Sequence, residues 1–149
     1  MRVRRLGEAD AEAAAALVRE TFGAMHRETG MDSPSRRIDA AGVRAKLAEG
    51  AGFGAEAGGA LLGVAFTRPS RDVPGALYLG PVATDADARG RGVARTLVEA
   101  ALDEARANGA PAVTLDTWTG EAGPRGYFAR LGFAEHAREG RVVTMLRPV

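Results

Sequence analysis

The chain has 149 residues, of which 46% are apolar, and a formal net charge of +1 at pH 7. This composition is typical of one soluble globular domain with a substantial core, and the near-balanced charge gives no indication of a nucleic-acid partner. Because the sequence has no cysteine, a disulfide scaffold, a cysteine-ligated zinc and a cysteine nucleophile are excluded, and we expect no metal site.

The first predicted elements are a short strand over residues 2–6 and the helix that follows it. Asp10 is placed to cap that helix. The apolar face of the helix has a 3.6-residue spacing and comprises Ala14, Leu17, Val18, Thr21 and Phe22. The next segment, residues 23–43, is polar and interrupted by glycines. We predict that it is a mobile loop region, with a weaker helix around Val43 and Leu47.

Three strands are predicted in the middle of the chain. Two of them lie within residues 52–68 and meet at Gly58-Gly59, a dipeptide that tolerates the positive backbone angles of a tight hairpin turn. The third, ALYLGPVAT, covers residues 76–84.

A long helix is predicted next, from Gly92 to a stop at Asn108, because its apolar residues recur at helical spacing. A strand over residues 112–118, a short helix over 124–132 and a last strand over 141–148 complete the pattern. Since the long helix connects two strands, those strands should lie parallel. The pattern predicts an α/β or α+β fold in which helices flank a mixed sheet.

No repeat, linker or low-complexity segment interrupts the sequence, so we predict a single domain over residues 1–149. No apolar run approaches the roughly 18–20 residues that a membrane span needs, and the start MRVRRLGEAD lacks the apolar stretch of a signal peptide. We therefore expect no membrane partner and a cytoplasmic location.

The turn into the long helix, DADARGRGVARTL, has a composition suited to a bound anion. The N–H groups in the first turn of a helix lack internal partners, and the helix dipole adds partial positive charge there. Gly90 and Gly92 lack the Cβ atoms that would hold a phosphate away from these N–H groups. Arg89, Arg91 and Arg95 add forked, charged donors. The residues therefore predict a polyphosphate site.

Two familiar phosphate-binding motifs do not fit this turn. A P-loop requires a Lys-Ser or Lys-Thr pair where Val93-Ala94 stand. A dinucleotide fingerprint that opens at Gly90 requires glycine at the position of Arg95. An ordinary strand-to-helix turn with solvated arginines is the remaining alternative.

Residues 89–94, RGRGVA, resemble motif A of the GNAT superfamily of acyl-CoA-dependent N-acetyltransferases, [QR]-x-x-G-x-[GA]. Residues 77–117 look like the family's fourth strand, pyrophosphate loop, long helix and fifth strand, in that order. GYFARLGF, residues 126–133, is similar to the next helix and the turn into the sixth strand. The resemblance covers essentially the whole chain. It implies a mixed sheet of about six to seven strands, with the fourth and fifth splayed around the acyl-CoA site.

The resemblance further implies that acetyl-CoA is the cosubstrate and that a primary amine attacks its acetyl group directly in a ternary complex. The acceptor would be a small molecule or a peptide or protein amine, and the enzyme a monomer or homodimer. In the family, the end of the fourth strand pairs with the pantetheine arm and the loop N–H groups hold the pyrophosphate. The matching residues are Val82, Ala83, Thr84, Arg89, Gly90, Arg91, Gly92, Val93, Ala94 and Arg95.

The sequence departs from the family at the group that protonates the leaving thiolate. Many members use a tyrosine hydroxyl at the position that Phe128 occupies here. Tyr127 is adjacent, but neighbouring residues on a helix point about 100° apart, and a core aromatic with a surface hydroxyl is its simpler role. Water is the other available proton source. This departure motivates an alternative function, a catalytically weak sensor module that binds acyl-CoA.

The base that deprotonates the amine is also not evident, because the predicted fourth strand contains no carboxylate. The candidates are Asp116 near the end of the fifth strand, Glu121 in the loop beyond it, and His26, whose imidazole can accept a proton near neutral pH. Each of the three also fits an ordinary role as a surface residue or turn hydrogen bonder.

Overall fold

A seven-stranded mixed sheet lies at the centre of the protein, whose computed structural model describes residues 1–119 and 124–149. The strand order is β1-β2-β3-β4-β5-β7-β6. Only the β4–β5 pair is parallel among the described strands. The strands are β1 (Arg2–Arg5), β2 (Ala51–Ala57), β3 (Ala60–Pro69), β4 (Leu77–Thr84), β5 (Ala112–Trp118), β6 (Ala134–Glu139) and β7 (Val142–Pro148).

Helices cover both faces of this sheet. They are α1 (Ala11–Thr29), α2 (Ala40–Glu49), α3 (Val93–Ala107) and α4 (Arg125–Arg130), with single 3₁₀ turns at Glu8–Asp10, Pro34–Arg37 and Ala86–Ala88. One buried cluster joins α1 and α2 to the sheet, and a second joins α3 and α4 to the opposite face. The mixed sheet with flanking helices confirms the predicted fold class.

The long helix α3 confirms the spacing argument residue by residue. Its buried positions, which face the sheet, are Val93, Leu97, Val98, Ala101, Leu102 and Ala105. They recur at the 3.6-residue period of a helix. The helix therefore crosses from the end of β4 to the start of β5 over a continuous apolar face, as a parallel connection requires.

The predicted loop over residues 23–43 is wrong in its first part. Helix α1 continues through Gly23 to Thr29 and ends only at Gly30, which adopts φ 74°. A glycine within a helix costs about 1 kcal/mol relative to alanine, but Phe22 packs against the core beneath α1 and α2. Tertiary packing thus outweighs the local signal, and the C-terminal end of α1 forms a rigid wall beside β4.

Asp10 occupies the residue before α1, but its side chain does not cap that helix. The 3₁₀ turn that precedes α1 places Asp10 in a helical conformation, with φ −88° and ψ −6°. Its carboxylate therefore points backwards and accepts a hydrogen bond from the Gly7 N–H at 2.8 Å and two from Arg4. The hydrogen bonds from Arg4, above all, lower the pKa of Asp10 to about 2.

The hairpin between β2 and β3 confirms the turn prediction, with φ 58° at Gly58 and 81° at Gly59. Strand β6, by contrast, is not predicted by the residue pattern and was implied only by the family resemblance. All six of its residues are exposed, so AEHARE lacks the apolar alternation by which a strand is recognised. Its pairing with β7 holds it at the edge of the sheet.

Candidate active site

Strands β4 and β5 separate after two residue pairs. Leu77 pairs with Val113 and Tyr78 with Thr114, and no later residue of β4 pairs with β5 in the described ladder. Strand β5 stays paired with β7 along its whole length. From Leu79 onwards, the edge of β4 that faces β5 is therefore free of strand partners among the described residues, and its peptide groups can pair with an extended ligand.

An irregularity in β4 changes which side chains face each side of the sheet. The register between β3 and β4 shifts between Ala65 and Thr67. Before the shift, Leu79 packs into the core on the α3 side, whereas after it Ala83 packs into the core on the α1 side. Because side chains alternate along a strand, the shift exchanges the two faces at the point where the strands separate.

The loop after β4 matches the geometry expected of an anion site. Gly90 and Gly92 have φ 81° and 77°, and a Cβ added to either would meet no atom within 4 Å. The first helical N–H with a carbonyl partner in α3 is that of Thr96, which donates to the Gly92 oxygen at 3.0 Å. The preceding N–H groups, which include Ala94, are free to bind a ligand. The loop thus combines unpaired N–H donors with glycines that have open surroundings, as the predicted anion site requires.

A cavity of about 1310 Å³ runs from this loop through the opening between β4 and β5 to the side of the sheet that carries α1 and α2. Its wall includes ten of the sequence-predicted site residues: Val82, Thr84, Arg89, Gly90, Gly92, Val93, Ala94, Arg95, Asp116 and Tyr127. Three others do not line it. Ala83 is buried beneath α1, Arg91 is exposed to solvent, and His26 lies on α1 with Nδ1 3.2 Å from the Met31 carbonyl oxygen.

Asp116 stands at the narrow end of the opening, on the face of β5 opposite to α3. Its carboxylate accepts a hydrogen bond of 3.0 Å from the Thr144 hydroxyl on β7. The Tyr78 side chain approaches it from β4. Burial raises the pKa of Tyr78 to about 12, and the charge and hydrogen bonding of Asp116 add to this effect. Tyr78 therefore stays protonated at neutral pH on the strand beside this carboxylate.

Tyr78 is a site residue that sequence reasoning did not identify. Its ring lies over Gly80, where an added Cβ would stand 3.1 Å from the tyrosine hydroxyl oxygen. The Arg68 guanidinium lies over the same ring, with Cζ 4.0 Å from its centroid. The Y-x-G spacing within ALYLGPVAT was the available signal, since glycine leaves room for the side chain two residues earlier on the same face.

The aromatic pair on α4 forms another part of the wall. Phe128 is 9% exposed, and its ring meets the Tyr127 ring edge-on with 5.5 Å between the centroids. Tyr127 is partly exposed and lies against the same core. The family's usual tyrosine position thus carries an apolar ring here, beside a hydroxyl-bearing one. Glu121, the third base candidate, lies outside the described residues.

Within residues 1–119 and 124–149, no group of three or more His, Cys, Asp or Glu side chains could hold a metal ion. None of the helices in the described part is long and apolar enough to cross a membrane.

Comparison with known proteins identifies a family whose profile covers the features described above. The profile of the Acetyltransferase (GNAT) family matches residues 12–133. This range includes the opening between β4 and β5, the loop over residues 85–92, here called the glycine-arginine loop, and α3. No curated protein matches the sequence.

Several solved structures share the fold. PaiA N-acetyltransferase from Thermoplasma acidophilum, in complex with coenzyme A, superimposes with a TM-score of 0.84 at 15% identity, covering 99% of this chain and 98% of that one. Ribosomal-protein-alanine N-acetyltransferase from Brucella melitensis superimposes with a TM-score of 0.74 at 23% identity, over the full length of both chains. YncA from Salmonella typhimurium, with its cofactor acetyl-CoA, superimposes with a TM-score of 0.76 at 20% identity, covering 99% of this chain and 92% of that one.

Proposed function

The chain belongs to the GNAT acetyltransferase family, and we propose that this acetyltransferase moves the acetyl group of acetyl-CoA to a primary amine in a ternary complex. The amine nitrogen forms a bond to the acetyl carbon while the carbon–sulfur bond breaks. One proton leaves the amine and one reaches the thiolate, so the products are an N-acetyl amine and CoA. Proximity of the two substrates supplies much of the rate enhancement in such a reaction.

The observation that carries this proposal is the free edge of β4, which lies within one cavity that also reaches the glycine-arginine loop. A pantetheine arm can pair with that edge as an added strand would, while the pyrophosphate meets the N–H groups before Thr96 and the positive end of the α3 dipole. The coenzyme A and acetyl-CoA complexes of the structural neighbours support this placement. We assign the donor site to the residues from Val82 to Arg95 that line the cavity.

Asp116 is our candidate for the group that accepts the amine proton. Its carboxylate lines the cavity at the narrow end of the opening, and the Thr144 hydroxyl fixes the direction in which it points. We also propose that Tyr78, whose pKa Asp116 raises from the neighbouring strand, is a positioning residue for this carboxylate. His26 does not line the cavity, so the geometry favours Asp116 over His26.

Tyr127 is our candidate for the group that protonates the thiolate. Phe128 fills the family's usual tyrosine position and has no proton to give, whereas the neighbouring Tyr127 lines the same cavity. We also propose a cytoplasmic protein that uses acetyl-CoA and an amine as its partners, as a monomer or homodimer.

The experiment that tests this function has two arms. Calorimetry with acetyl-CoA measures donor binding, and release of free thiol in the presence of a broad panel of amines measures transfer. Thiol release that depends on one or more amines is expected. Tight acetyl-CoA binding without amine-dependent thiol release would instead favour the acyl-CoA sensor suggested by Phe128. Absence of binding at high micromolar acetyl-CoA would overturn both.

A further inference from the structure

The end of the cavity that lies farthest from the glycine-arginine loop is rich in positive charge. Lys46 on α2, Arg68 at the end of β3 and Arg71 in the following loop all line it. Lys46 is the only lysine in the sequence. These three cations come from separate elements, so their convergence is a property of the tertiary structure.

Few carboxylates contact these cations directly, although Glu49 and Asp116 line the same cavity. Within residues 1–119 and 124–149, no carboxylate oxygen lies within 4.0 Å of the Lys46 or Arg68 nitrogens, and Arg71 meets only Glu49, at 3.4 Å on an exposed surface. Burial lowers the pKa of Lys46. The nearby charges of Arg68 and Arg71 lower this pKa further, and the charge of Glu49 offsets part of the change. Lys46 and Arg68 are partly buried whereas Arg71 is exposed, and partly buried cations that repel one another are stabilised when an anion binds beside them.

The positive charge lies beside the candidate proton acceptor. Arg68 and Tyr78 are direct partners in the β3–β4 ladder, and Tyr78 pairs in turn with Thr114, two residues before Asp116. Cation and carboxylate therefore flank Tyr78 on one face of the sheet. A ligand whose amine faces Asp116 would have its neighbouring atoms directed at Arg68.

The phosphates of CoA do not account for these cations. The glycine-arginine loop follows the C-terminal end of β4, whereas Arg68 pairs near its N-terminal end. Tyr78, the partner of Arg68, lies six residues before Thr84 at the end of β4, so at about 3.3 Å per residue the two positively charged regions are separated by roughly 20 Å along the strand. The second region is therefore available to the acceptor rather than to the donor.

We propose that Lys46, Arg68 and Arg71 bind an acidic group of the acceptor, so that the substrate is a small amine that also carries a carboxylate or a phosphate. This inference rests on the acetyl transfer proposed above. It specifies the class of acceptor that the family resemblance leaves open. Arg68 provides the forked donor for two oxygens of one acidic group, and Lys46 provides a point charge beside it.

Matched acceptors test the inference directly. Thiol release would be followed with ethanolamine against O-phosphoethanolamine, and with glycinamide against glycine. The member that carries the acidic group should show the higher kcat/KM in at least one pair. Equal use of both members, or preference for the neutral member in each pair, would overturn the acidic-group site while acetyl transfer stands. Absence of transfer to any amine in the broad panel would overturn the transfer function together with it.

Substitutions then test which residues give the preference for the acidic acceptor. Lys46→Met and Arg68→Gln should each raise KM for the acidic acceptor about tenfold to hundredfold, the range expected when one charge-assisted hydrogen bond is lost. The KM of its neutral counterpart and the acetyl-CoA Kd should change less than about twofold. Arg44→Met, at an exposed position of the same helix as Lys46, is the matched control. Lys46→Arg keeps the positive charge and should therefore retain binding of the acidic acceptor. Equal effects on both acceptors, in variants whose Tm is unchanged, would contradict the proposed site.

Discussion

The Arg68 guanidinium stacks on the Tyr78 ring, with 4.0 Å between Cζ and the ring centroid. This contact joins β3 to β4 at the point where β4 begins to separate from β5. On its other side, Tyr78 faces the Asp116 carboxylate on β5. One tyrosine thus connects a cation and a carboxylate across three strands, at the narrow end of the cavity.

We expect Tyr78→Phe to lower kcat about tenfold, because the variant lacks the hydroxyl that we propose positions the Asp116 carboxylate. The phenylalanine ring keeps the stacking surface for Arg68, so KM for the acceptor and the Kd for acetyl-CoA should remain within about twofold. Steady-state kinetics and calorimetry separate these quantities. A rise in KM with unchanged kcat would show that Tyr78 binds the acceptor instead of positioning Asp116.

Asp116→Asn should reduce kcat by about 10² to 10⁴, because an amide cannot accept the proton that the amine releases. His26→Gln is the matched comparison, since the imidazole lies near the Met31 carbonyl oxygen outside the cavity wall. It should change kcat less than about threefold. The rate is measured against pH for both variants. If the pH dependence of the wild type persists in both, water is the proton acceptor.

Tyr127→Phe should lower kcat about tenfold to hundredfold, because the thiolate would then take its proton from water. Adding Phe128→Tyr to this variant returns one hydroxyl to α4, at the position that the family uses. The double variant should recover most of the lost rate. Wild-type turnover in Tyr127→Phe would rule out this tyrosine as the acid.

Gly92→Val should weaken acetyl-CoA binding by about two orders of magnitude, because a branched side chain would fill the open space in front of the loop donors. Valine is also strained at φ 77°. Gly109→Val controls for that strain, because Gly109 has φ 70° and equally open surroundings at the other end of α3. Calorimetry should show a normal acetyl-CoA Kd for Gly109→Val. Unchanged binding by Gly92→Val would mean that another loop holds the pyrophosphate.

Asp10→Asn should reduce the free energy of unfolding at pH 7 by about 2 kcal/mol, since the pKa of Asp10 in the folded protein, about 2, lies below the ordinary value of 3.8. A lowered carboxyl pKa contributes stability above pH 3.8 that disappears as the pH falls through about 2. In denaturant titrations, the difference in the free energy of unfolding between variant and wild type should therefore disappear as the pH falls over that range. Asp103→Asn, which breaks an exposed pair with Arg106, should cost less than about 0.5 kcal/mol at any pH.

The elements that the sequence predicts well are those in which local chemistry and burial agree. Helix α3 buries the same six residues that its apolar period indicates, and Gly58-Gly59 adopts the turn that only such residues favour. Prediction fails where tertiary contacts outweigh local preference. Helix α1 runs through Gly23 because of the core beneath it, and the exposed strand β6 exists because β7 supplies a partner.

The sequence by itself predicted the donor site that we propose, because a phosphate site made from glycines and the start of a helix is encoded in a few consecutive residues. Its loop was located from those residues together with the family resemblance of the segments around them. Only the tertiary structure indicates the acceptor site that we propose. Tyr78, Asp116, Arg68 and Lys46 lie on four different elements, and no local pattern indicates that they share a wall. The register of β3, β4 and β5 and the packing of α2 against β3 bring these residues together.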